Sequence, residues 1–412
     1  MAFGGGQFDR RISDLRSVLA LRAFRLFSIG NFCSLSAIWV VRVCIGWLTW
    51  ELTGSKTWLG IMAFAELGPS VIVSLYAGDL ADRIDRVRIL RMGQGMQACL
   101  ALGLLGLKLA GALTVWWMLV ILLGFSILGG INLPARMSMA PVLVSRDKLA
   151  TASAVGSITL NLTRLLGPLV AAPLLMLNQE PLAFALATLG FAINAICLSL
   201  IRPEDRSVAS VDVAAGQVRV GFVQVMRDLL NARLSRLVLV IQFAMSLLVR
   251  PLTDMFPAFS GQVFARDEAG YAMLTGCVGI GAICGAWFVV GQANERAMRW
   301  QILFGSVVFA LSMMAFGLTG NFWLALLVLL PFGAAMTSSG IAGTTFIQIR
   351  TPHDRLGRVM SLYSIVYRLA PALGALAIGA LADLIGLGNA TILLPAIALA
   401  LLALVWRDFM TE

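Results

Sequence analysis

Long apolar stretches, separated by short charged segments, run through almost the whole chain. A helix needs about 20 mostly apolar residues to cross roughly 30 Å of hydrocarbon. Stretches of this length lie near residues 24–50, 58–77, 89–109, 115–134, 149–177, 182–201, 234–260, 270–291, 300–319, 322–347, 357–383 and 388–406. They are continuous, whereas the strands of a membrane barrel alternate in polarity over about ten residues. The pattern therefore predicts an all-α membrane protein with twelve transmembrane helices.

Loop charge predicts the orientation of these helices, because cytoplasmic loops carry an excess of Lys and Arg. If both termini are cytoplasmic, only Lys56, Lys108 and Arg266 of the 31 Lys and Arg fall in loops or at span ends on the opposite side. Four more arginines, Arg42, Arg164, Arg250 and Arg368, fall in the interior of predicted spans, and the rest lie in cytoplasmic segments or at cytoplasmic span ends. Shifting the count by one helix would reverse this bias in half of the protein. We therefore expect an even number of spans with both ends in the cytoplasm.

The longest hydrophilic stretch separates the sixth and seventh predicted spans, which indicates two pseudo-symmetric six-helix bundles. Weak internal similarity supports this division, since Arg164 and Pro168 of the fifth span correspond to Arg368 and Pro371 of the eleventh. Many transporters place a midplane site between two such halves. Residues 218–233 read as an amphipathic helix on the inner membrane surface, with a solvated linker as the alternative. The predicted segments are a cytoplasmic start (1–22), an N-terminal bundle (23–201), the linker with its amphipathic helix (202–233), a C-terminal bundle (234–406) and a cytoplasmic tail (407–412).

Composition excludes a soluble fold and narrows the classes of function. Hydrophobic residues make up 59% of the 412 residues and charged residues 13%, whereas a soluble domain carries about 25% charged residues. The net charge of +10 fits basic cytoplasmic loops, so we expect no nucleic-acid partner. The six cysteines lie in apolar stretches without metal-site or redox spacing, and we expect no metal. The basic start runs directly into the first span, so no cleavable signal peptide is expected.

Charged side chains inside the predicted spans are the strongest pointers to function, since a charge in hydrocarbon is costly and usually faces a cavity or a partner. Glu66 precedes a Gly-Pro pair in the second span. A carboxylate in a partly dry cavity can load and release protons, so Glu66 is the predicted proton-coupling residue, with pairing to Arg42 as the alternative. Arg250 and Asp254 are spaced i,i+4 and can pair along one helix face. Asp254 is thus a second proton-coupling candidate, and a structural salt bridge is its alternative.

Arginines outnumber acids inside the spans, which favours an anionic or catecholate-like cargo over a cation. Arg164 and Arg368 occupy related places in the two halves and could form a positive clamp around an anion. Aromatic side chains, among them Tyr363, could line the same cavity, although interface belts explain most membrane tryptophans equally well. The predicted substrate-binding residues are Arg42, Arg164, Arg250, Arg368, Trp39 and Tyr367.

A charged loop joins the second and third predicted spans and reads Gly78-Asp-Leu-Ala-Asp82-Arg83-Ile-Asp85-Arg86. Small residues let two helix ends approach closely, Asp82 can cap or pair at a helix terminus, and the arginines can bind carboxylates or lipid phosphate. The pattern Gly78-x-Leu-Ala-Asp82-Arg83-x-x-Arg86 resembles the loop motif of the major facilitator superfamily. Asp85 stands where that family usually has glycine, an ending similar to the branch of enterobactin exporters and macrolide efflux proteins.

This resemblance implies the major facilitator fold and a gating motif made of Gly78, Asp82, Arg83 and Arg86, which would latch one state of the transport cycle. A basic anchor that only fixes the topology is the alternative. Three other stretches look like the same branch: Trp50-Glu-Leu-Thr-Gly-Ser55, Asn132-Leu-Pro-Ala-Arg136 and Arg358-Val-Met-Ser-Leu-Tyr363.

The fifth predicted span carries the stretch Gly156…Gly167-Pro168-x-x-Ala171-Ala172. It resembles the antiporter motif of exporting family members, although Thr163 and the two alanines stand at usual glycine positions. Small residues there allow tight packing against a partner helix, and Pro168 can bend the span. In the eighth span, Gly281-x-x-x-Gly285 predicts close helix packing, as scaffold rather than site.

These features together predict a secondary active transporter: a proton-coupled exporter of a small amphipathic or anionic molecule, siderophore or drug-like, that works by alternating access. The alternatives are a lipid or lysolipid flippase and, from another class, a membrane channel or sensor. We expect no enzyme, since the sequence shows no catalytic cluster and no phosphate-binding glycine loop. The expected setting is the bacterial inner membrane. There the chain would be a multi-pass monomer whose partners are its substrate and the lipid bilayer, with the proton gradient as driving force and no cofactor.

Overall fold

The computed structural model describes residues 15–145, 148–202, 204, 227, 232–289, 294–351 and 356–411. Some side chains inside its helices also lie outside the described part, among them those of residues 78–83, Arg164 and Pro168. The predicted amphipathic helix at 218–233 falls almost entirely outside it. Every regular element among the described residues is helical, which confirms the all-α fold.

A helix occupies each predicted span, although in the seventh it fills only the first part, and the helices are numbered by span. They are α1 (Arg22–Thr53), α2 (Lys56–Arg83), α3 (Arg86–Leu109), α4 (Val115–Met137), α5 (Leu149–Met176), α6 (Glu180–Ser199), α7 (Arg233–Leu248), α8 (Glu268–Val289), α9 (Glu295–Leu318), α10 (Phe322–Arg350), α11 (Leu356–Ile385) and α12 (Leu387–Thr411). A short helix, Met139–Leu143, follows α4.

Ten helical segments within the described ranges are long and apolar enough to cross a membrane. They exclude α3, which carries several arginines and glutamines, and α5, whose qualifying apolar segment is shorter (Thr151–Leu160). The number of twelve spans and the cytoplasmic position of both termini therefore stay predictions.

The seventh span differs from the predicted continuous helix near 234–260, because α7 ends at Leu248. Two prolines, Pro251 and Pro257, sit in the first turns of the elements that follow. Proline lacks a backbone N–H and breaks the α-helical hydrogen-bond ladder. The chain continues as a 3-10 turn (Arg250–Met255), an α-helical turn (Phe256–Ala258) and a π-helical turn (Phe259–Val263).

Asp85 ends the charged loop and begins α3. Its carboxylate accepts a hydrogen bond from the backbone N–H of Val87 at 3.3 Å. The first N–H groups of a helix have no partner within the helix, so an acid at this position stabilises the start. Asn294 does the same for α9, accepting from the backbone N–H of Arg296 at 3.0 Å. The aspartate that replaces the usual glycine therefore has a local structural role.

By its internal contacts the chain falls into two compact units, of which the first comprises residues 1–44 and 72–217. Within it, α1 packs closely on α6. An added Cβ on Gly30 would collide with the side chain of Asn194, and one on Gly190 would lie 2.8 Å from a backbone oxygen of α1. Apolar burial does not drive helices together inside lipid, so close packing of small residues takes its place.

The second unit comprises residues 45–71 and 218–412. Its first segment, named here the 45–71 hairpin, contains the end of α1 and the start of α2, so both helices change unit along their length. The ring of Trp47 in this hairpin stacks on Tyr271 of α8, with ring centroids 6.3 Å apart. The division into bundles 23–201 and 234–406 stays a prediction.

Helices α8 and α10 of the second unit pack backbone to backbone. An added Cβ on Gly281 would collide with the carbonyl oxygen of Leu330, and one on Gly285 with that of Ala334. Gly333 of α10 approaches the backbone of α8 in the same way. The close packing predicted from Gly281-x-x-x-Gly285 is confirmed.

Replacing Gly285 by alanine should destabilise the protein, because the new methyl group meets the backbone of α10 and neither helix can give way locally. We expect a loss of about 1–3 kcal/mol, as for overpacked cores. It would be measured as a lower unfolding temperature of the detergent-purified protein. Gly276→Ala on the same helix is the matched control, since nothing lies within 4 Å of an added Cβ there. Equal effects of the two substitutions would contradict the packing argument.

Candidate functional site

Arg250 and Tyr367 form the centre of a cluster in the second unit. The guanidinium carbon of Arg250 lies 4.7 Å from the centroid of the Tyr367 ring, within the range of a cation–π interaction. Its Nη1 also donates a hydrogen bond of 3.3 Å to the Tyr367 carbonyl oxygen. In an α-helix that carbonyl would accept from the residue four positions later, which is Pro371. Because proline has no N–H, Arg250 supplies the missing donor.

A second tyrosine extends the aromatic surface. The rings of Tyr363 and Tyr367 stack with centroids 5.9 Å apart and an interplanar angle of 19°. Tyr363 is buried, and its hydroxyl lies 3.3 Å from Thr344 Oγ1. Gly340 on α10 leaves room for the other tyrosine, since an added Cβ would lie 2.8 Å from the Tyr367 hydroxyl. The two phenol rings are therefore held as a stacked pair.

Arg368 follows Tyr367 and brings a second guanidinium to the cluster. Both Arg250 and Glu66 lie close enough to act on its charge. Glu66 and Arg368 are half-buried. Glu66 lies roughly 15 Å along α2, and Arg368 roughly 18 Å along α11, from the first residue of each helix. The structure thus brings together four residues predicted from sequence: Glu66, Arg250, Tyr367 and Arg368.

Asp254 does not follow the geometry assumed for its pairing with Arg250. The two residues lie in a 3-10 turn, not in an α-helix. With three residues per turn, positions four apart no longer share a face. The i,i+4 argument assumed an α-helix and does not apply to this 3-10 turn. A pairing of Asp254 with Arg250 stays a prediction. A role of Asp254 in proton coupling stays a prediction.

Two predicted residues of the first unit, Arg42 and Trp39, lie in contact with each other. The guanidinium carbon of Arg42 lies 5.2 Å from the centroid of the Trp39 ring. Gly167 packs against the same tryptophan, because an added Cβ would collide with Trp39 Cβ. The small residue of the antiporter-like motif thus allows α5 to approach α1. Gly156 is different, with nothing within 4 Å of an added Cβ.

Several predicted residues lie outside the described side chains: Gly78, Asp82, Arg83, Arg164 and Pro168. Their backbone belongs to α2 and α5. Arg86 of the gating motif is described and lies half-buried at the start of α3. Among the described residues, no group of three His, Cys, Asp or Glu could hold a metal ion.

A groove of about 650 Å³ lies between α8, α9 and α10, and none of the described residues that line it is charged. Its lining includes Phe288, Trp300, Gln301 and Phe304. Phe288 and Phe304 are exposed on the surface of the unit. The groove lacks the charge that would orient a polar cargo, so the arginine–tyrosine cluster is the candidate functional site.

Sequence reasoning missed Thr344 and Gly340, which hold the tyrosine pair. The signal available was the run 337–344 in the tenth span, which reads Thr-Ser-Ser-Gly-Ile-Ala-Gly-Thr. Small and hydroxyl-bearing residues in an apolar helix are typical of positions where other helices pack closely.

Relatives and solved structures agree with this fold. The chain matches the profile of the family described as transmembrane secretion effector over residues 15–410. The enterobactin exporter EntS of Shigella boydii serotype 4 (strain Sb227) is 25% identical over 374 residues, covering 87% of this chain and 85% of that protein. Its counterpart in Escherichia coli O81 (strain ED1a) is 24% identical over 373 residues, with the same coverage.

Two solved structures show the fold. A POT family transporter in complex with a thioalcohol-conjugated peptide has a TM-score of 0.72 at 14% identity, covering 95% of this chain and 97% of that chain. The nucleoside transporter NupG has a TM-score of 0.68 at 12% identity, covering 94% and 99%. The family profile and the curated relatives show that the protein is a multi-pass transporter of the bacterial inner membrane and not an enzyme. The profile match extends over nearly the whole chain, and the chain belongs to the transmembrane secretion effector family of the major facilitator superfamily.

Proposed function

We propose that the chain exports a small anionic molecule with an aromatic ring, of the catecholate siderophore kind, by proton-driven alternating access. The observation that carries this proposal is the Arg250 guanidinium held over the Tyr367 ring. The relatives named as enterobactin exporters support the same class of cargo.

The chemistry of the cluster suits such a cargo. A catecholate combines an aromatic ring with adjacent oxygen anions, and a guanidinium binds paired oxygens through parallel N–H donors. Arg250 and Arg368 supply two guanidinium groups, while Tyr367 supplies a ring face against which a second ring can stack. Glu66 brings one negative charge close to Arg368. The balance of charge favours an anion.

Glu66 supports the proton coupling that we propose. Its carboxylate is half-buried near the middle of α2 and acts on the charge of Arg368. Protonation would remove that negative charge, so a cargo arginine would respond to the state of a single titratable group. This link provides a route by which a pH gradient can drive movement of the cargo.

Glu66→Gln should abolish the part of transport that responds to a pH gradient, because glutamine cannot exchange a proton. The assay is uptake of enterobactin into inside-out membrane vesicles with an acidic interior. We expect the gradient-driven rate to fall by about 100-fold or more, the lower end of the contribution of one positioned proton-transfer group. Glu51→Gln, at the exposed end of α1, is the matched control and should keep the wild-type rate. An unchanged gradient response in Glu66→Gln would exclude this residue as the coupling site.

Arg368→Met and Arg250→Met should each raise the KM for enterobactin by about 10- to 100-fold, the value of one hydrogen bond to a charged group. Arg266→Met is the matched control, because Arg266 also lies over an aromatic ring, Phe322, at 5.1 Å from its centroid, but belongs to the loop before α8. The same vesicles would be tested with ethidium, a cationic aromatic probe. Transport of ethidium but not of enterobactin by the wild-type protein would overturn the proposed cargo class.

A further inference from the structure

The carboxylate of Asp383, near the end of α11, binds the amino end of α2. Its Oδ2 accepts hydrogen bonds from the backbone N–H of Thr57 at 2.9 Å, from Thr57 Oγ1 at 2.6 Å and from Ser55 Oγ at 3.2 Å. Its Oδ1 accepts from the backbone N–H of Lys56 at 3.4 Å and lies 3.4 Å from Lys56 Nζ. One side chain thus contacts three consecutive residues at the start of α2: Ser55, which precedes the helix, and Lys56 and Thr57, its first two residues.

These contacts satisfy groups that α2 cannot satisfy by itself. The first N–H groups of a helix have no acceptor within the helix, and the positive end of the helix dipole favours an anion there. Ser55 Oγ accepts from the backbone N–H of Trp58 at 3.3 Å, in the manner of an ordinary amino-terminal cap. Asp383 accepts from the two preceding backbone N–H groups, those of Lys56 and Thr57. The cap of α2 is therefore shared between its own serine and a residue of α11.

The two helices also approach each other closely about one turn further along α2 from these contacts. An added Cβ on Gly60 would collide with the carbonyl oxygen of Ala375, and one on Gly379 would lie 2.5 Å from the carbonyl oxygen of Lys56. Both glycines therefore permit the contact that brings Asp383 to the amino end of α2. The 45–71 hairpin is held on α11 by this seam and by the shared cap.

The sequence around Asp383 repeats part of the gating motif. Residues 379–383 read Gly-Ala-Leu-Ala-Asp, and residues 78–82 read Gly-Asp-Leu-Ala-Asp. Each stretch stands at the carboxyl end of its helix, α11 in one case and α2 in the other. Loop charge predicts that the two ends face opposite sides of the membrane. Three residues after Asp383 stands Gly386, at φ +90°, the position that Asp85 takes in the other copy.

We propose that Asp383 and residues 55–57 form an outer latch, which keeps the 45–71 hairpin docked on α11 and must be released for the cargo to leave on the non-cytoplasmic side. This inference rests on the proposed function and on the predicted orientation. Asp383 is the gating residue of this end, and it acts by capping backbone N–H groups, not as one half of a simple salt bridge.

The latch can be tested by measuring the distance between its two sides. Nitroxide labels would be placed at Glu51→Cys and Leu384→Cys, both exposed positions, after replacement of the six native cysteines. Electron–electron double resonance on the full-length protein in lipid nanodiscs then gives the distance distribution. Asp383→Ala should raise the ratio of long to short distances roughly fivefold or more, because the two capped N–H groups turn to water. An unchanged distribution would overturn the proposal.

Two further variants guard against a trivial result. Asp383→Asn keeps an acceptor oxygen but loses the charge, so it should give a smaller shift in the same direction even if Asp383→Ala fails to fold. Asn321→Ala is the matched control, because Asn321 caps α10 within its own chain segment, accepting from the backbone N–H of Trp323 at 2.9 Å. This control should leave the distance distribution unchanged. A shift as large as that of Asp383→Ala would show that loss of any cap opens the protein, and would overturn the latch.

Exchange of the two charges separates a cap from a salt bridge. The double variant Lys56→Asp with Asp383→Lys would restore an ordinary ion pair, but a lysine cannot accept from the N–H groups of α2. We therefore expect the exchanged protein to keep the long-distance population of Asp383→Ala. Recovery of the wild-type distribution would overturn the cap mechanism.

The distance measurement needs no cargo, so its failure is distinguishable from failure of the proposed function. Absence of enterobactin transport with an intact response to Asp383→Ala would reject the cargo and keep the latch. Normal enterobactin transport with an unchanged distance distribution in Asp383→Ala would keep the cargo and reject the latch.

Discussion

A proline in a membrane helix has no backbone N–H, so the carbonyl four residues earlier loses its hydrogen-bond donor. The position of the candidate site depends on which group of this chain donates to that carbonyl instead. Backbone groups inside a bilayer need a partner within the protein, since water is absent there. Pro371 frees the carbonyl of Tyr367, and Arg250 donates to it. That bond fixes the arginine over the tyrosine ring and ties the broken seventh span to α11. Arg368, the next residue, is thereby placed beside a second guanidinium.

The amino end of α2 obeys the same constraint in a form that can be reversed. Its first N–H groups would be unpaired without Asp383, but they lie at a helix end, where water can replace the carboxylate. The side chain of Asp383 is one-third exposed. A contact of this kind holds two helices together, and breaking it requires little free energy because water can replace the carboxylate. The carbonyl of Tyr367 lies in the interior of α11, far from either helix end, where water is not at hand to replace Arg250. Its bond to Arg250 therefore stabilises one arrangement of the two segments and does not act as a switch.

The positions of the helices could be predicted from the sequence because bilayer thickness sets the length of every apolar run. Arg250 and Arg368 could be singled out because charge is costly in hydrocarbon. The contact of Arg250 with Tyr367 could not be predicted, because the argument from i,i+4 spacing assumed a continuous α-helix, and this helix ends before Pro251. Asp383 escaped notice for a different reason. An acid at the end of an apolar run looks like an ordinary loop residue until the fold brings the start of another helix to it.

Helices α2 and α11 meet at three levels of one seam: the outer latch, the crossing at Gly60 and Ala375, and the charges of Glu66 and Arg368. A ligand shifts a conformational equilibrium only through its different affinity for the two states. On the proposed function, an anionic cargo competes with Glu66 for Arg368 and so weakens the attraction at the inner level of the seam. With the attraction between Glu66 and Arg368 weakened, α2 and α11 are held together less strongly, and the outer latch opens more readily. Binding of cargo from the cytoplasm would therefore favour the release that export requires, without any contact between the cargo and Asp383.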